Sequence, residues 1–464
     1  MTALARLFDA AAGSAGGALP RVSGASGPAR EAGLDNRGAT LTPPPPPSEG
    51  DGFLSSTSKR FELRHGIGRM LRDPETGKGP AVCGCGRSGH DVDAVTITRR
   101  DSGAIGVGGV FRCDSAWLCP SCAPRQTLDR QARVKEAVSA LYQQEGTAVM
   151  VTLTVQHRAG DRLADLKRIV QTAGRKARQG APWARMQKRA GVIGVLVAPE
   201  VTHGRHGWHF HLHLLVLCLA QSPSTAADAG EFLIQRYMQY VEAEGATAQR
   251  LGQDVQVATS PENAAEYVAK GLAWELAGRS GKVSRSAKGR TPFEIAASAM
   301  TGQPRDYALW REYAETMAGT RSCVITAAMA EQLGIEPADD SAQDEGEQEL
   351  AVDGVEVGTL SPGTWNGLMR FGQAAALIRK VEANQPWPEV AAWARRMANP
   401  PEPAPPPPSP VRPSERDIRD AAAVQRGSTA ARLGRAVDAL RCSIGARGAF
   451  ELDSTVITAL INVR

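Results

Sequence analysis

Four of the eight histidines in this 464-residue chain fall in one octapeptide, His206-Gly207-Trp208-His209-Phe210-His211-Leu212-His213. Side chains alternate across an extended strand, so His209, His211 and His213 project from one face while Phe210, Leu212 and Leu214 project from the other. Residues two apart on a strand are separated by about 6.6 Å, close enough for two imidazoles to converge on one divalent ion. A single histidine in such a place is most simply a hydrogen-bonded core residue. Three on one face would leave several ring nitrogens unsatisfied at about 1–3 kcal/mol each, whereas an ion uses their lone pairs. The preceding strand brings Glu200 opposite the start of this run, and a His/carboxylate set suits Mg²⁺, Mn²⁺ or another borderline divalent ion.

A second chemistry is carried by Glu266-Tyr267-Val268-Ala269-Lys270. Tyr267 and Lys270 are three apart, so on a helix they share a face and the ammonium approaches a phosphate held at the phenol. A phenol of ordinary acidity is a poor nucleophile near neutral pH; a divalent ion on the phosphate and a neighbouring cation make its attack feasible. Taken without the histidine strand, the pair reads as a packed helix tyrosine and a solvated lysine. Tyr237 and Tyr240 are fallback nucleophiles, though neither has a lysine three positions on.

Five of the eight cysteines crowd between Cys83 and Cys122. Cys119-Pro120-Ser121-Cys122 is a knuckle preceded by Cys113 and by Cys83-Gly84-Cys85. Thiolates at such spacing reach one tetrahedral Zn²⁺ at about 2.3 Å, and four of them close a structural site, so five cysteines compete for four places. Thioredoxin-type redox chemistry would need a βαβ context that is absent.

These residues need elements to hold them. Val149–Val155 reads as a buried strand, and Gly191–Val201 and Trp208–Leu219 as two strands joined by a Gly-containing loop. Arg125–Tyr142, Leu163–Lys188 with a break near Gly180 and Pro182, Phe232–Glu244 and Glu262–Leu276 read as helices. Ser260 is a candidate N-cap, with Pro261 as first residue of the tyrosine helix. The order predicts an α+β fold, an antiparallel sheet flanked by helices. Domain divisions follow composition: a disordered, Ala/Gly/Ser/Pro-rich tail over 1–78, a cysteine module over 79–130 and the histidine-tyrosine domain over 131–325. A helical C-terminal region over 326–398, a Pro-rich linker over 399–414 and a helical segment over 415–464 complete the chain.

With 42% hydrophobic residues the chain can bury two or three cores, and its net charge of +5 permits a polyanionic partner without requiring one. The longest apolar runs fall well short of the ~18 residues that span a bilayer, and the N-terminus has no signal-like apolar core. The expectation is a cytoplasmic protein with reduced cysteines, not a membrane protein. Arg175, Lys176, Arg178, Arg185, Lys188 and Arg189 cluster before the hairpin, and Arg279, Lys282, Arg285, Lys288 and Arg290 follow the tyrosine helix. Both runs flank the proposed site in sequence and suit a salt-sensitive grip on phosphates.

Trp208-His209-Phe210-His211-Leu212-His213-Leu214-Leu215 resembles the His-hydrophobe-His motif of HUH single-strand endonucleases, and more narrowly of rolling-circle plasmid replication initiators. Val151–Val155 resembles that family's first strand motif and Tyr267-Val268-Ala269-Lys270 its Tyr-x-x-Lys motif, all in family order. The resemblance implies the family's HUH (ferredoxin-like, split-palm) fold and nicking of one strand at a plasmid origin. It further implies a 5′-phosphotyrosine link through Tyr267 and a divalent ion held by His211, His213 and Glu200 or His209. It implies single- and double-stranded DNA as partners, with host helicase and polymerase. The family places a second nucleophile or base one turn before the tyrosine; Asn263 stands there, leaving Glu262 and Glu266 as candidates. Resemblance to actinobacterial-type initiators selects Cys85, with Cys113, Cys119 and Cys122, as the zinc ligands, Cys83 being the alternative. Other classes compatible with the residues are a related transposase or relaxase, or a zinc-ribbon DNA-binding regulator without catalysis.

Overall fold

The computed structural model describes residues 54, 56–219, 222–276, 289–337, 348–349 and 354–399. The Pro43–Pro47 run, the linker beyond residue 399, the segment 415–464 and the cations Arg279, Lys282, Arg285 and Lys288 lie outside them.

The Ser56 side chain accepts from the Lys59 amide and opens α1 (Thr57–Leu71), inside the stretch assigned to the tail on composition. That boundary is corrected. Leu63, Ile67 and Met70 pack into one core cluster and Phe61 into another. A helix buried on two sides has no single apolar stripe to announce it.

A 3₁₀ turn at Ala81–Cys83 leads to β1 (Val95–Arg99), β2 (Ile105–Gly108) and β3 (Val110–Phe111). β1 and β2 form a hairpin whose free edge is taken by β9 (Val355–Leu360), while β8 (Gln348–Glu349) pairs with β3, all antiparallel. Beyond β9 come α10 (Pro362–Arg370), α11 (Ala374–Glu382) and α12 (Trp387–Ala398), which cover the hairpin through Trp365, Leu368, Leu377 and Ile378. Two corrections follow. The cysteine segment does not form a unit of its own, because a lone hairpin cannot bury Val95 and Ile97, and the region after residue 326 supplies the missing strand as well as helices. The boundary drawn at residue 130 also falls inside α2 (Ala123–Gln143).

The central sheet contains β4 (Thr147–Thr154), β5 (Val192–Gly204), β6 (Gly207–Cys218) and β7 (Asp254–Val257) in the order β5-β6-β4-β7, every pairing antiparallel. Arg205 and His206 form the two-residue turn between β5 and β6, with Gly207 at φ +86°. β6 runs between β5 and β4, and its even- and odd-numbered residues meet two different layers. Phe210, Leu212 and Leu214 enter a cluster with α3 (Leu163–Ala177), α5 (Pro223–Ala243), and two further helices, α7 (Pro292–Met300) and α8 (Pro304–Met317). α4 (Gly180–Ala190) packs beside α5, the break expected near Gly180 falling at Arg178–Gln179. Leu215 and Leu217 instead enter a cluster with α2, α6 (Pro261–Leu276) and α9 (Ala327–Leu333). The chain is thus α+β, with antiparallel sheets flanked by helices, as its element order predicts. Among the described residues no helix is long and apolar enough to cross a membrane.

Candidate active site

Pairing sets the site. Ala198, His213, Thr152 and Asp254 form one row across β5, β6, β4 and β7, and Glu200, His211 and Thr154 form the next. All belong to the face that α2 and α6 cover farther along the strands. His211 Nε2 and His213 Nε2 lie 2.8 and 2.7 Å from the same Glu200 oxygen, Oε2, and 3.0 Å from each other. Two nitrogens each about 2.1 Å from one ion at a right angle stand about 3.0 Å apart, so the donor set has the spacing of metal ligands. Burial by itself pushes the Glu200 carboxyl up, but the charge and hydrogen bonds of His211 and His213 prevail and hold it well below the usual carboxylate range.

The other expected residues separate into those that join this group and those that do not. Tyr267 reaches it from α6: its ring meets His213 edge-on with centroids 4.7 Å apart, and its hydroxyl hydrogen-bonds Thr152 Oγ1 at 2.8 Å. Thr152 Oγ1 in turn lies 3.4 Å from His213 Nδ1. Burial, with the charges of Asp254 and Glu200, pushes the phenol above its ordinary value against the Thr152 hydrogen bond. Lys270 lies on α6, its side chain outside the described residues. His209 lies between His157 and His211 with its ring tilted 43° and 38° to theirs, one step outside the three-residue group, and burial, then the neighbouring rings, push it down to about 4. Glu262 points elsewhere, pairing with Lys135 at 3.0 Å on the surface, and Glu266 is exposed. Tyr237 is fully buried in the core of the opposite layer, with Tyr240 packed against that core, so neither fallback nucleophile faces the histidines.

The four cysteines Cys85, Cys113, Cys119 and Cys122 converge. Cys85 Sγ is 3.5 Å from both Cys119 Sγ and Cys122 Sγ, and Cys113 Sγ is 3.9 Å from Cys122 Sγ. Sulfurs about 2.3 Å from a common tetrahedral ion stand about 3.8 Å apart, whereas a disulfide would bring them to about 2.05 Å. Gly86 at φ +78° makes the turn after Cys85, and Cys122 is the residue from which α2 starts. Contacts with the other three thiols hold the Cys85 thiol well below its usual range. Cys83 is turned away and faces the Gly68 carbonyl at 3.5 Å.

The basic runs are placed differently from what their sequence positions suggest. Gly174 of α3 packs against Leu212 and Leu153, which point away from the histidine face, so the run Arg175–Arg189 lies behind the sheet. Lys176 pairs with Glu244 at 2.9 Å, Arg178 donates to the Gly174 carbonyl and Arg189 pairs with Asp228 at 2.9 Å. Arg290 is structural, forming a two-pronged ion pair with Asp306 and exchanging backbone hydrogen bonds with His203.

Sequence reasoning named the strand motif around Thr152 without assigning that residue a role, and it missed Asp254. β7 is only four residues long and half exposed, too short for alternation to stand out.

No family profile and no solved structure matches the chain. Among characterised proteins it is 36% identical over 164 residues to a neomycin resistance protein of Streptomyces cyanogenus, covering 30% of this chain and 38% of that protein. It is 33% identical over 150 residues to a Protein rep of Streptomyces lividans, covering 26% and 33%, and 28% identical over 142 residues to a Protein rep of Streptococcus pneumoniae, covering 30% and 42%. Over these stretches the chain is similar to proteins named rep. The similarity spans between 33% and 42% of the length of each relative.

Proposed function

We propose that this Rep relative initiates rolling-circle plasmid replication by nicking one DNA strand at the origin through Tyr267. The observation that carries the reading is the contact of the Tyr267 ring with His213, which shares a carboxylate oxygen with His211. Glu200, His211 and His213 would hold Mg²⁺ or Mn²⁺, and a bound divalent ion supplies charge neutralisation at a scissile phosphate. Cys85, Cys113, Cys119 and Cys122 would hold a structural Zn²⁺.

The remaining work falls to the chain. Thr152 fixes the phenol hydroxyl beside the histidines. The phenol oxygen forms a bond to phosphorus as the bond from phosphorus to the 3′ oxygen breaks. The phenol proton is transferred, in net, to the departing 3′ oxygen, leaving a 5′-phosphotyrosine and a free 3′-hydroxyl that can prime a polymerase. Because burial keeps the phenol protonated at rest, nucleophile strength develops only when a phosphate and its cations are in place. The pairing of Glu262 with Lys135 on the surface argues against Glu262 as the second nucleophile or base of the cycle. A DNA-binding regulator without catalysis would leave the spacing of Glu200, His211 and His213 without a purpose.

The test is incubation of the full chain with a labelled single-stranded oligonucleotide from the plasmid origin and Mn²⁺. Tyr267→Phe is expected to abolish both the cleaved product and the covalent adduct while oligonucleotide binding persists. Retained cleavage rejects the assignment, and mass spectrometry locates the nucleotide on the Tyr267 peptide.

A further inference from the structure

A cleft of about 220 Å³ opens beside the cysteine cluster, between α1, β2 and the start of α2. Arg60, Arg100, Arg112 and Arg125 line it, with Asp114 and Asp129 as the acidic residues on its wall. The arginines are close enough to oppose one another: burial first, then the charges of Arg100 and Arg112, push the Arg60 guanidinium below its ordinary value, with Glu382 acting against them. α2 begins at this wall with no capping side chain and no acidic residue in its first turn, so the positive end of its dipole is not offset by its own sequence. The Ser121 hydroxyl, in the Cys119–Cys122 knuckle that lines the cleft, has no hydrogen-bond partner among the described residues. Guanidinium groups, a helix start and a hydroxyl converging on one cavity form an acceptor for a tetrahedral oxyanion.

We propose that this cleft is a phosphate-binding site that grips a phosphodiester of the DNA backbone away from the tyrosine centre. That the phosphate belongs to DNA rests on the nicking function proposed above; that the cleft takes a phosphate rests on its own residues. The grip is distinct from the run on α3 and α4, which lies behind the sheet; within the cleft Arg60 also donates to the Leu54 carbonyl, Arg112 to the Val107 carbonyl, and Arg125 pairs with Asp129 at 3.7 Å. It also gives the cysteine cluster a second consequence, since Cys122 both belongs to the cluster and starts the helix that faces the cleft.

The experiment is a salt titration of duplex binding by the full chain, read by fluorescence anisotropy without divalent ion so that no cleavage intervenes. Arg100 and Arg125 are exposed, so the double variant Arg100→Ala/Arg125→Ala leaves the half-buried Arg60 and Arg112 and their contacts in place. It is expected to lose about tenfold in duplex affinity at low salt, and the slope of log K against log salt is expected to become shallower by about 2, roughly 0.9 for each phosphate contact removed. Inorganic pyrophosphate is expected to compete with the duplex on the wild type and to lose that effect on the variant. Unchanged affinity and slope overturn the proposal. So does pyrophosphate binding that the variant loses while duplex affinity stays intact, which assigns the cleft to a free phosphate compound. Loss of zinc in step with affinity overturns it as well, because the arginines would then serve as counter-charges to the thiolates. Cleavage by Tyr267 is measured separately, so failure of one reading is distinguishable from failure of the other.

Discussion

The cysteine cluster and the Glu200/His211/His213 group are both shaped for an ion, yet they are built in opposite ways. The cysteines come from a turn, a strand end and a helix start, and their four sulfurs lie within 4.8 Å of one another, the number of ligands a tetrahedral ion takes. The second group comes from the middle of two paired strands and supplies three donors, with Tyr267 alongside. A closed set has no place for substrate, so its value lies in tying segments together. An open set on a rigid sheet leaves coordination positions for a reacting phosphate.

The largest effect that separates the two is on folding. Cys119→Ser removes one thiol from the closed set; the structural zinc proposed for it would contribute on the order of 10–16 kcal/mol of apparent binding free energy, so the cysteine region is expected to lose its fixed packing. Near-UV circular dichroism should report it through Trp117 and Trp365, whose ring nitrogens bond the Thr320 and Gly86 carbonyls. Zinc content by mass spectrometry should fall with the signal; an unaltered spectrum in a zinc-free protein would make the two sites equivalent. His213→Ala is the converse. It removes one donor of the open set from a sheet whose core lies largely in other residues, so cleavage is expected to drop by about 10³-fold, or roughly 4 kcal/mol, while thermal unfolding shifts little. A variant that unfolds instead would make the histidines structural.

How much of this contrast is legible in the sequence depends on the range of the signal. Alternation put His211 and His213 on one face, a local consequence of strand geometry, whereas the two-residue turn sets Glu200 opposite His211, farther along than the start of the run where the sequence placed it. The knuckle Cys119–Cys122 is likewise local. Pairing of β1 with β9 joins residues some 260 positions apart in the chain, and no period in either segment encodes it. α1 escaped because Gly66 and Gly68 lower helix propensity and its apolar residues face two cores. The basic run falls on α3 and α4, helices as expected, but they lie behind the sheet, since flanking the site in sequence says nothing about which layer a helix joins.

Acid sharpens the comparison further, since each region holds a histidine whose burial, partial for His65, pushes its pKa down. His203, only 4% exposed at the end of β5, is pushed down to about 4 by burial first and then by Arg305 and Arg290, with Asp306 acting against them. His65 on α1 is pushed down to about 4 by burial and by Arg64, Arg69 and Arg72. The unfolded chain binds these protons near pH 6.5 and the folded chain does not until about 4, so stability is complete above pH 6.5 and falls as pH drops through that window. For His203 the loss is on the order of 3 kcal/mol at most. Denaturant midpoints measured from pH 7 to pH 4 are expected to decline less steeply in His203→Gln, and His65→Gln should flatten the remainder. Parallel slopes in wild type and variant would place the acid sensitivity elsewhere.

The smallest effect is expected at Glu262, and it discriminates most finely between the two ways of reading the tyrosine helix. Position in sequence makes Glu262 the carboxylate one turn and a residue before Tyr267; the fold gives it to Lys135 on α2, with both side chains more than half exposed. Lys135 draws the carboxyl below its ordinary value from the surface, not from the histidine face. An exposed, solvent-screened pair of this kind contributes little to stability, so Glu262→Gln should leave thermal unfolding nearly unchanged and leave both cleavage and religation of an origin oligonucleotide at wild-type rates. Loss of religation alone, with cleavage preserved, would mean that α6 turns when DNA binds and carries Glu262 to the centre. Because Lys135 anchors that end of α6 to α2, Lys135→Ala would then raise religation, whereas with α6 fixed it changes neither step.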